Sequence, residues 1–164
     1  MDSIAVEVVR GQVVEARHHV HAVAVSDERA VVAVGDPGLV TYFRSSAKPI
    51  QALPLVRLRS DLDDGEIAIA SASHLHRPEQ VEAVRRLLAK ADATEEDLEC
   101  GPEPTKLEHN CSGKHAGMLL LCRTRGWPFA GYRLPGHPCQ RAMLTEMCSA
   151  ADVDVASEIG RAHV

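Results

Sequence analysis

The order of apolar patterns along the chain predicts an α+β fold. Three short valine-rich segments open the sequence, and most of the remaining chain has helical spacing. Strands followed by helices are typical of α+β domains, or of a layered α/β sheet with flanking helices whose remaining strands come later in the sequence. The length of 164 residues fits one domain.

The three predicted strands are 5–9, 20–25 and 30–34. Turn-prone residues separate them, at Gly11 and at 26–28, so we expect an antiparallel meander. The later segments predict four helices, which cover 46–59, a stretch from Pro78, 113–125 and a stretch from Pro138. Ser112 is the expected cap of the third helix, and Gly126 is expected to end it.

Composition and charge exclude several classes of function. The net charge is −5, aromatic residues make up 3% of the chain, and no basic stripe is visible, all of which argue against a nucleic-acid partner. No signal-peptide pattern and no apolar run of membrane-spanning length occur. The five cysteines are odd in number and irregularly spaced, which favours reduced thiols and a cytoplasmic protein.

The last seven residues, 158–164, read Glu-Ile-Gly-Arg-Ala-His-Val. One frame of a common sequencing adapter encodes this string, so we expect a translation artefact here. On this interpretation the native gene continues beyond residue 157.

Ser45 and Lys48 form the first candidate for chemistry, in the sequence Arg44-Ser45-Ser46-Ala47-Lys48. In a helical turn residues three apart share a face, where a lysine could take the proton of a serine nucleophile. The same S-x-x-K pattern occurs in penicillin-binding proteins. By itself the pattern is weak, because it occurs by chance in many helices and is more typical of a helix cap followed by a surface lysine.

Two further segments carry candidate functional residues. Ser73 ends a small-residue apolar run, either at the mouth of a site or at a buried strand end. Cys111 precedes a predicted helix, where the helix dipole favours a thiolate, and Lys114 lies one turn further on. A thiolate suits zinc, although a simple capping role remains open.

Taken together, the motifs are more specific than any one of them. They are R-S-S-A-K-P-I-Q-A-L-P-L at 44–55, A-S-H at 72–74, E-C-G-P at 99–102, H-N-C-S-G-K-H-A-G-M-L at 109–119 and G-W-P-F-A-G-Y-R-L-P-G-H-P at 126–138. This set resembles the Rhizobium-etli-type (class 3) L-asparaginases of the asparaginase II family, and the resemblance covers residues 4–157.

The resemblance implies a fold similar to serine β-lactamases and glutaminases, incomplete at its C-terminal end, with residues 1–157 forming part of one domain. It implies hydrolysis of L-asparagine to L-aspartate and ammonia. Ser45 and Lys48 match the family's first Ser–Lys pair, and Ser73 matches the serine of its second pair. The lysine partner of Ser73 falls beyond the chain, which is therefore expected to be inactive by itself.

The resemblance also implies a Zn²⁺ site, in which Cys111 and Lys114 match two of the ligands. The third ligand, a cysteine in an Asp-Gly-Cys motif, would fall just past residue 157.

The chain departs from the family at 75–77, where Leu-His-Arg replaces a small residue followed by Gly-Glu. The resemblance implies a small amino-acid substrate as the partner, and neither a nucleic acid nor a membrane. Whether the protein forms a homodimer stays open.

Two other functions remain as alternatives. One is a related acyl-serine amidohydrolase, either a glutaminase or a β-lactamase-like enzyme. The other is a non-catalytic metal-binding module.

Overall fold

The computed structural model describes residues 3–102 and 104–153 of the chain. The chain forms two compact units, Met1–Thr41 and Tyr42–Val164. The described strands lie in the first unit and the described helices in the second, so the predicted α+β class is confirmed. The assignment of 158–164 to an adapter falls outside the described residues, and the assignment of 1–157 to one domain stays a prediction.

The first unit consists of two antiparallel hairpins. Its strands pair as β1 with β2 and β3 with β4, in the order β1 Ile4–Arg10, β2 Val13–Val20, β3 Ala22–Ser26 and β4 Arg29–Val34. The β3–β4 turn places Asp27 and Glu28 at positive φ, 47° and 62°, as a two-residue hairpin turn of the right twist requires.

The predicted three-stranded meander is wrong in detail. Strand β2 was not predicted, because charged residues and histidines interrupt its valines. Its pairing partner decides its conformation: Glu7 lies opposite Arg17, and the Arg17 guanidinium donates to the Glu7 carboxylate at 2.9 Å. The predicted strand 20–25 spans the end of β2 and most of β3.

The second unit contains five helices within its described residues. They are α1 Lys48–Val56, α2 Asp64–Ala70, α3 Pro78–Ala91, α4 Ser112–Arg125 and α5 Pro138–Ala151. Short 3₁₀ turns at Arg44–Ala47 and Glu95–Asp97 precede α1 and follow α3. The predicted helix starts at Pro78 and Pro138 and the end at Gly126 are confirmed.

Helix α4 lies at the centre of this unit. Every residue from 112 to 122 is buried, and α1, α2, α3 and α5 all pack against the helix. Leu119, Leu120 and Leu121 are fully buried, and each contributes about 1.5–3 kcal/mol of hydrophobic stabilisation. The residues at the N-terminal end of this central helix are therefore held in fixed positions.

The interpretation of the apolar run at 67–70 as a strand end is wrong, because these residues end helix α2. The helix starts at a capping box, in which the Asp63 carboxylate accepts from the Glu66 backbone N–H at 2.8 Å and the Glu66 carboxylate accepts from that of Asp63 at 2.9 Å. Lys90 donates to the buried Glu66 carboxylate at 2.6 Å. The capping box at the helix start and the contact of Lys90 with Glu66 both stabilise the helical conformation of this run.

None of the helices formed by residues 3–102 and 104–153 combines the length and the apolarity that a membrane crossing needs.

Candidate active site

Lys48 is the first residue of α1, and its amine lies at the centre of a polar cluster. The side chain is 2% exposed, since it runs inward from the start of the helix. Its Nζ donates to the Ser73 Oγ at 2.7 Å, to the Cys111 Sγ at 3.3 Å and to the Ala72 carbonyl at 3.4 Å. One buried amine therefore connects the two motifs that contain Ser73 and Cys111.

Ser73 lies in the loop that follows α2. Ser73 is exposed to solvent, whereas Lys48, which contacts its hydroxyl, is buried. A hydroxyl in this position is open to a small molecule from the solvent side while its other side contacts an amine. Such a pair can supply a nucleophile and the base that activates it.

Cys111 and Lys114 occupy the N-terminal end of α4. Cys111 is the N-cap residue and is half-buried, and Lys114 lies one turn later and is 6% exposed. Burial lowers the pKa of the Lys114 amine, the nearby Cys111 opposes this shift, and the positive charge of Lys48 adds to it. The lowered pKa brings the amine closer to the neutral form that a metal ligand requires.

The predicted capping role of Ser112 is wrong. Ser112 is the first helical residue, and its hydroxyl donates to the Leu107 carbonyl at 2.7 Å. The loop before the helix supplies this acceptor, which the sequence pattern does not reveal.

Ser45 is not brought into this cluster. It lies exposed in the Arg44–Ala47 turn, and its carbonyl accepts from the backbone N–H of Lys48. In the part of the chain that the structure describes, the Lys48 amine donates to Ser73 and Cys111 rather than to the Ser45 hydroxyl. The Ser45–Lys48 pairing stays a prediction.

Sequence reasoning missed His74, which is 2% exposed and contacts Ser112. It also missed the contact of Gly113 with α2, where a β-carbon would lie 2.3 Å from the Ile69 carbonyl oxygen. A histidine next to the predicted Ser73 and a Gly-x-x-x-Gly pattern at 113–117 were the available signals.

The described residues contain no group of three histidine, cysteine or carboxylate side chains that could hold a metal ion. Cys111 and Lys114 are two donors of the right chemistry, a soft sulfur and an amine whose pKa is lowered by burial. They fit two positions of a zinc coordination shell and need at least one further ligand to complete it.

The model of the L-asparaginase II family matches residues 6–161 of the chain. A search of the curated proteins finds no match. A family match over nearly the whole chain indicates a hydrolase of the amidohydrolase type that acts on a small molecule. The chain belongs to the L-asparaginase II family.

Proposed function

We propose that this chain forms part of the active site of a cytoplasmic L-asparaginase of the Rhizobium-etli type, with a β-lactamase-like fold, which hydrolyses L-asparagine to L-aspartate and ammonia. The observation that carries the proposal is the 2.7 Å contact between the buried Lys48 amine and the exposed Ser73 hydroxyl. Family membership supports the asparaginase-type activity.

In this proposal Ser73 is the nucleophile and Lys48 is its base. To act as the base, the Lys48 amine must be unprotonated, and it then takes the hydroxyl proton as the Ser73 Oγ forms a bond to the side-chain amide carbon of asparagine. The resulting ammonium then gives a proton to the leaving nitrogen, so that ammonia departs and an aspartyl ester remains on Ser73. Water, deprotonated by the same amine, attacks the ester carbon, and the Ser73 Oγ leaves and takes the proton back from the Lys48 ammonium as aspartate is released.

Ser45 is the rival nucleophile, favoured by its S-x-x-K spacing and by the family resemblance. The geometry supports Ser73, because within the described residues the Lys48 amine donates to the Ser73 hydroxyl and not to that of Ser45. The two proposals differ in which serine carries the aspartyl ester.

The proposed zinc ion would be held by Cys111 and Lys114, together with a ligand that the family resemblance expects just past residue 157. Zinc bound there would help to orient the substrate and the serine hydroxyls. The Lys48 amine, 3.3 Å from the Cys111 sulfur, would remain a hydrogen-bond donor to a metal-bound thiolate.

Substrate specificity is tested on the protein that the native gene encodes, after the locus has been resequenced. We expect release of ammonia from L-asparagine, measured by a coupled assay, at a kcat/KM above that for L-glutamine. A chromogenic β-lactam is the third substrate of the panel. Turnover of the β-lactam alone would reject the asparaginase proposal and favour the β-lactamase-like alternative.

Removal of the Cys111 sulfur is expected to weaken zinc binding. Loss of groups that only support a ligand costs about 10–100-fold in metal affinity, so Cys111→Ser should cost at least about 100-fold. The zinc content per chain, measured after dialysis against a competing chelator, reports the change.

The matched control for this experiment is Cys100→Ser. The Cys100 thiol is half-buried like that of Cys111, and it donates to the Lys106 carbonyl at 3.4 Å, a bond that a serine hydroxyl can also make. Equal zinc content in all three proteins would rule out Cys111 as a ligand.

A further inference from the structure

His74 is a buried polar residue next to the proposed nucleophile, and the proposed hydrolysis mechanism does not use it. Its side chain is 2% exposed. The Nε2 atom lies 2.8 Å from the Ser112 Oγ, and the Nδ1 atom accepts from the backbone N–H of His76 at 3.1 Å. Its own backbone N–H donates to the Asn110 carbonyl at 3.1 Å.

The hydrogen bonds around His74 fix its protonation state. A serine hydroxyl has one proton, and that of Ser112 is donated to the Leu107 carbonyl at 2.7 Å. Ser112 must therefore accept from His74, so the Nε2 atom carries the proton. The Nδ1 atom faces an N–H donor and has none, which makes His74 neutral with a single defined tautomer.

Burial lowers the pKa of the His74 imidazole, a backbone hydrogen bond with His109 raises it, and electrostatic contributions of His76, Lys48 and His109 lower it further. The direction of the shift agrees with the neutral form that the hydrogen bonds require. The contribution of the imidazole then comes from the hydrogen bonds that it makes.

One backbone bond and one side-chain bond of His74 join the Ser73 loop to the start of α4, on either side of Cys111. The backbone of His74 bonds to Asn110, and its side chain bonds to Ser112. Ser73 precedes His74 directly, so the position of its hydroxyl relative to Cys111 depends on both attachments. Helix α4 is the most deeply buried helix of the unit, which makes it a rigid support.

We propose that His74 is a positioning residue for hydrolysis, whose neutral imidazole holds the Ser73 hydroxyl against the Lys48 amine by bonding the Ser73 loop to Ser112. The inference rests on the proposed function. It assigns His74 no contact with the substrate and no proton transfer.

Two substitutions in the protein that the native gene encodes separate the Nε2 bond to Ser112 from the Nδ1 bond to the His76 backbone. The amide nitrogen of His74→Gln can reach the place of Nε2 and keep the bond to Ser112. The shorter His74→Asn can place an acceptor near Nδ1 but does not reach Ser112. A misplacement of about 1 Å can cost about 10²-fold in rate. We therefore expect His74→Asn to lower kcat by about 10–100-fold with a smaller change in KM. His74→Gln should retain most of the wild-type kcat.

Ser112→Ala removes the same bond from the other side. It should reproduce the loss in kcat, and the double variant His74→Asn with Ser112→Ala should be no slower than either single variant. Thermal melting of each variant shows that the protein is folded. Independent losses that multiply in the double variant, or wild-type kcat in His74→Asn, would overturn the inference.

A measurement on the unchanged protein covers the case in which the variants do not fold. Nitrogen-15 NMR should show the His74 ring protonated at Nε2 and unprotonated at Nδ1 at neutral pH. A charged ring or the opposite tautomer would overturn the inference. Absence of asparagine hydrolysis by the wild-type protein would instead reject the proposed function, which keeps the two failures distinct.

Discussion

Replacement of Lys48 by methionine is expected to lower kcat for asparagine hydrolysis by about 10⁶-fold, the order of loss found when the base of a serine nucleophile–base pair is removed. Methionine fills much of the same buried space but carries no amine, so the Ser73 hydroxyl loses the group 2.7 Å away that would take its proton. Ser73→Ala should cause a loss of similar size. Because the two groups act as a unit, the double variant should be no worse than either one alone.

The controls for this prediction are Ser71→Ala and Ser45→Ala. Ser71 lies in the same loop, at the end of α2, and its side chain makes no hydrogen bond within the described ranges of the chain, so wild-type kcat is expected. Mass spectrometry of rapidly quenched reactions should find the aspartyl ester on Ser73. If Ser45→Ala abolishes the reaction and Ser73→Ala does not, Ser45 is the nucleophile and the assignment of that role to Ser73 is wrong.

Substitution of Gly113 is expected to produce the largest loss of stability. A β-carbon at this position would lie 2.3 Å from the Ile69 carbonyl oxygen and 2.7 Å from the Ile69 Cγ1, far inside normal contact. Gly113→Ala must therefore push the end of α2 away from α4, and overpacking of this kind costs about 1–3 kcal/mol. The same movement would carry the Ser73 loop away from Lys48, so activity should fall together with stability.

Gly117→Ala is the matched control on the same face of α4. Its β-carbon would approach the Ala70 Cβ to 3.1 Å, which requires a shift of only a few tenths of an ångström. Alanine also favours the helix over glycine by about 1 kcal/mol, so the net change in the free energy of unfolding should be small. Chemical denaturation of both variants measures the difference, and equal stability of the two would show that α2 does not approach Gly113 so closely.

Much of the helical architecture could be predicted from the sequence because its signals are local. Pro78 and Pro138 mark helix starts, and Gly126 marks a helix end at positive φ, 68°, since each acts through its own backbone conformation. The strand at 13–20 and the helix at 64–70 were missed. The strand depends on its pairing with β1, a separate segment of the chain. The helix does carry a local signal, the capping box of Asp63 and Glu66, which the sequence analysis overlooked.

The sequence by itself determined the α+β class, the family and the segments that contain Lys48, Ser73 and Cys111. Only the tertiary structure decided that the Lys48 amine contacts Ser73 and Cys111, which lie 25 and 63 positions further along the chain, while Ser45 is exposed at the surface. The physical reason is that a spacing of three residues reports which side chains share one turn of a helix. Contacts between distant segments depend on how helices pack, and here Gly113 and His74 bring the Ser73 loop to the start of α4.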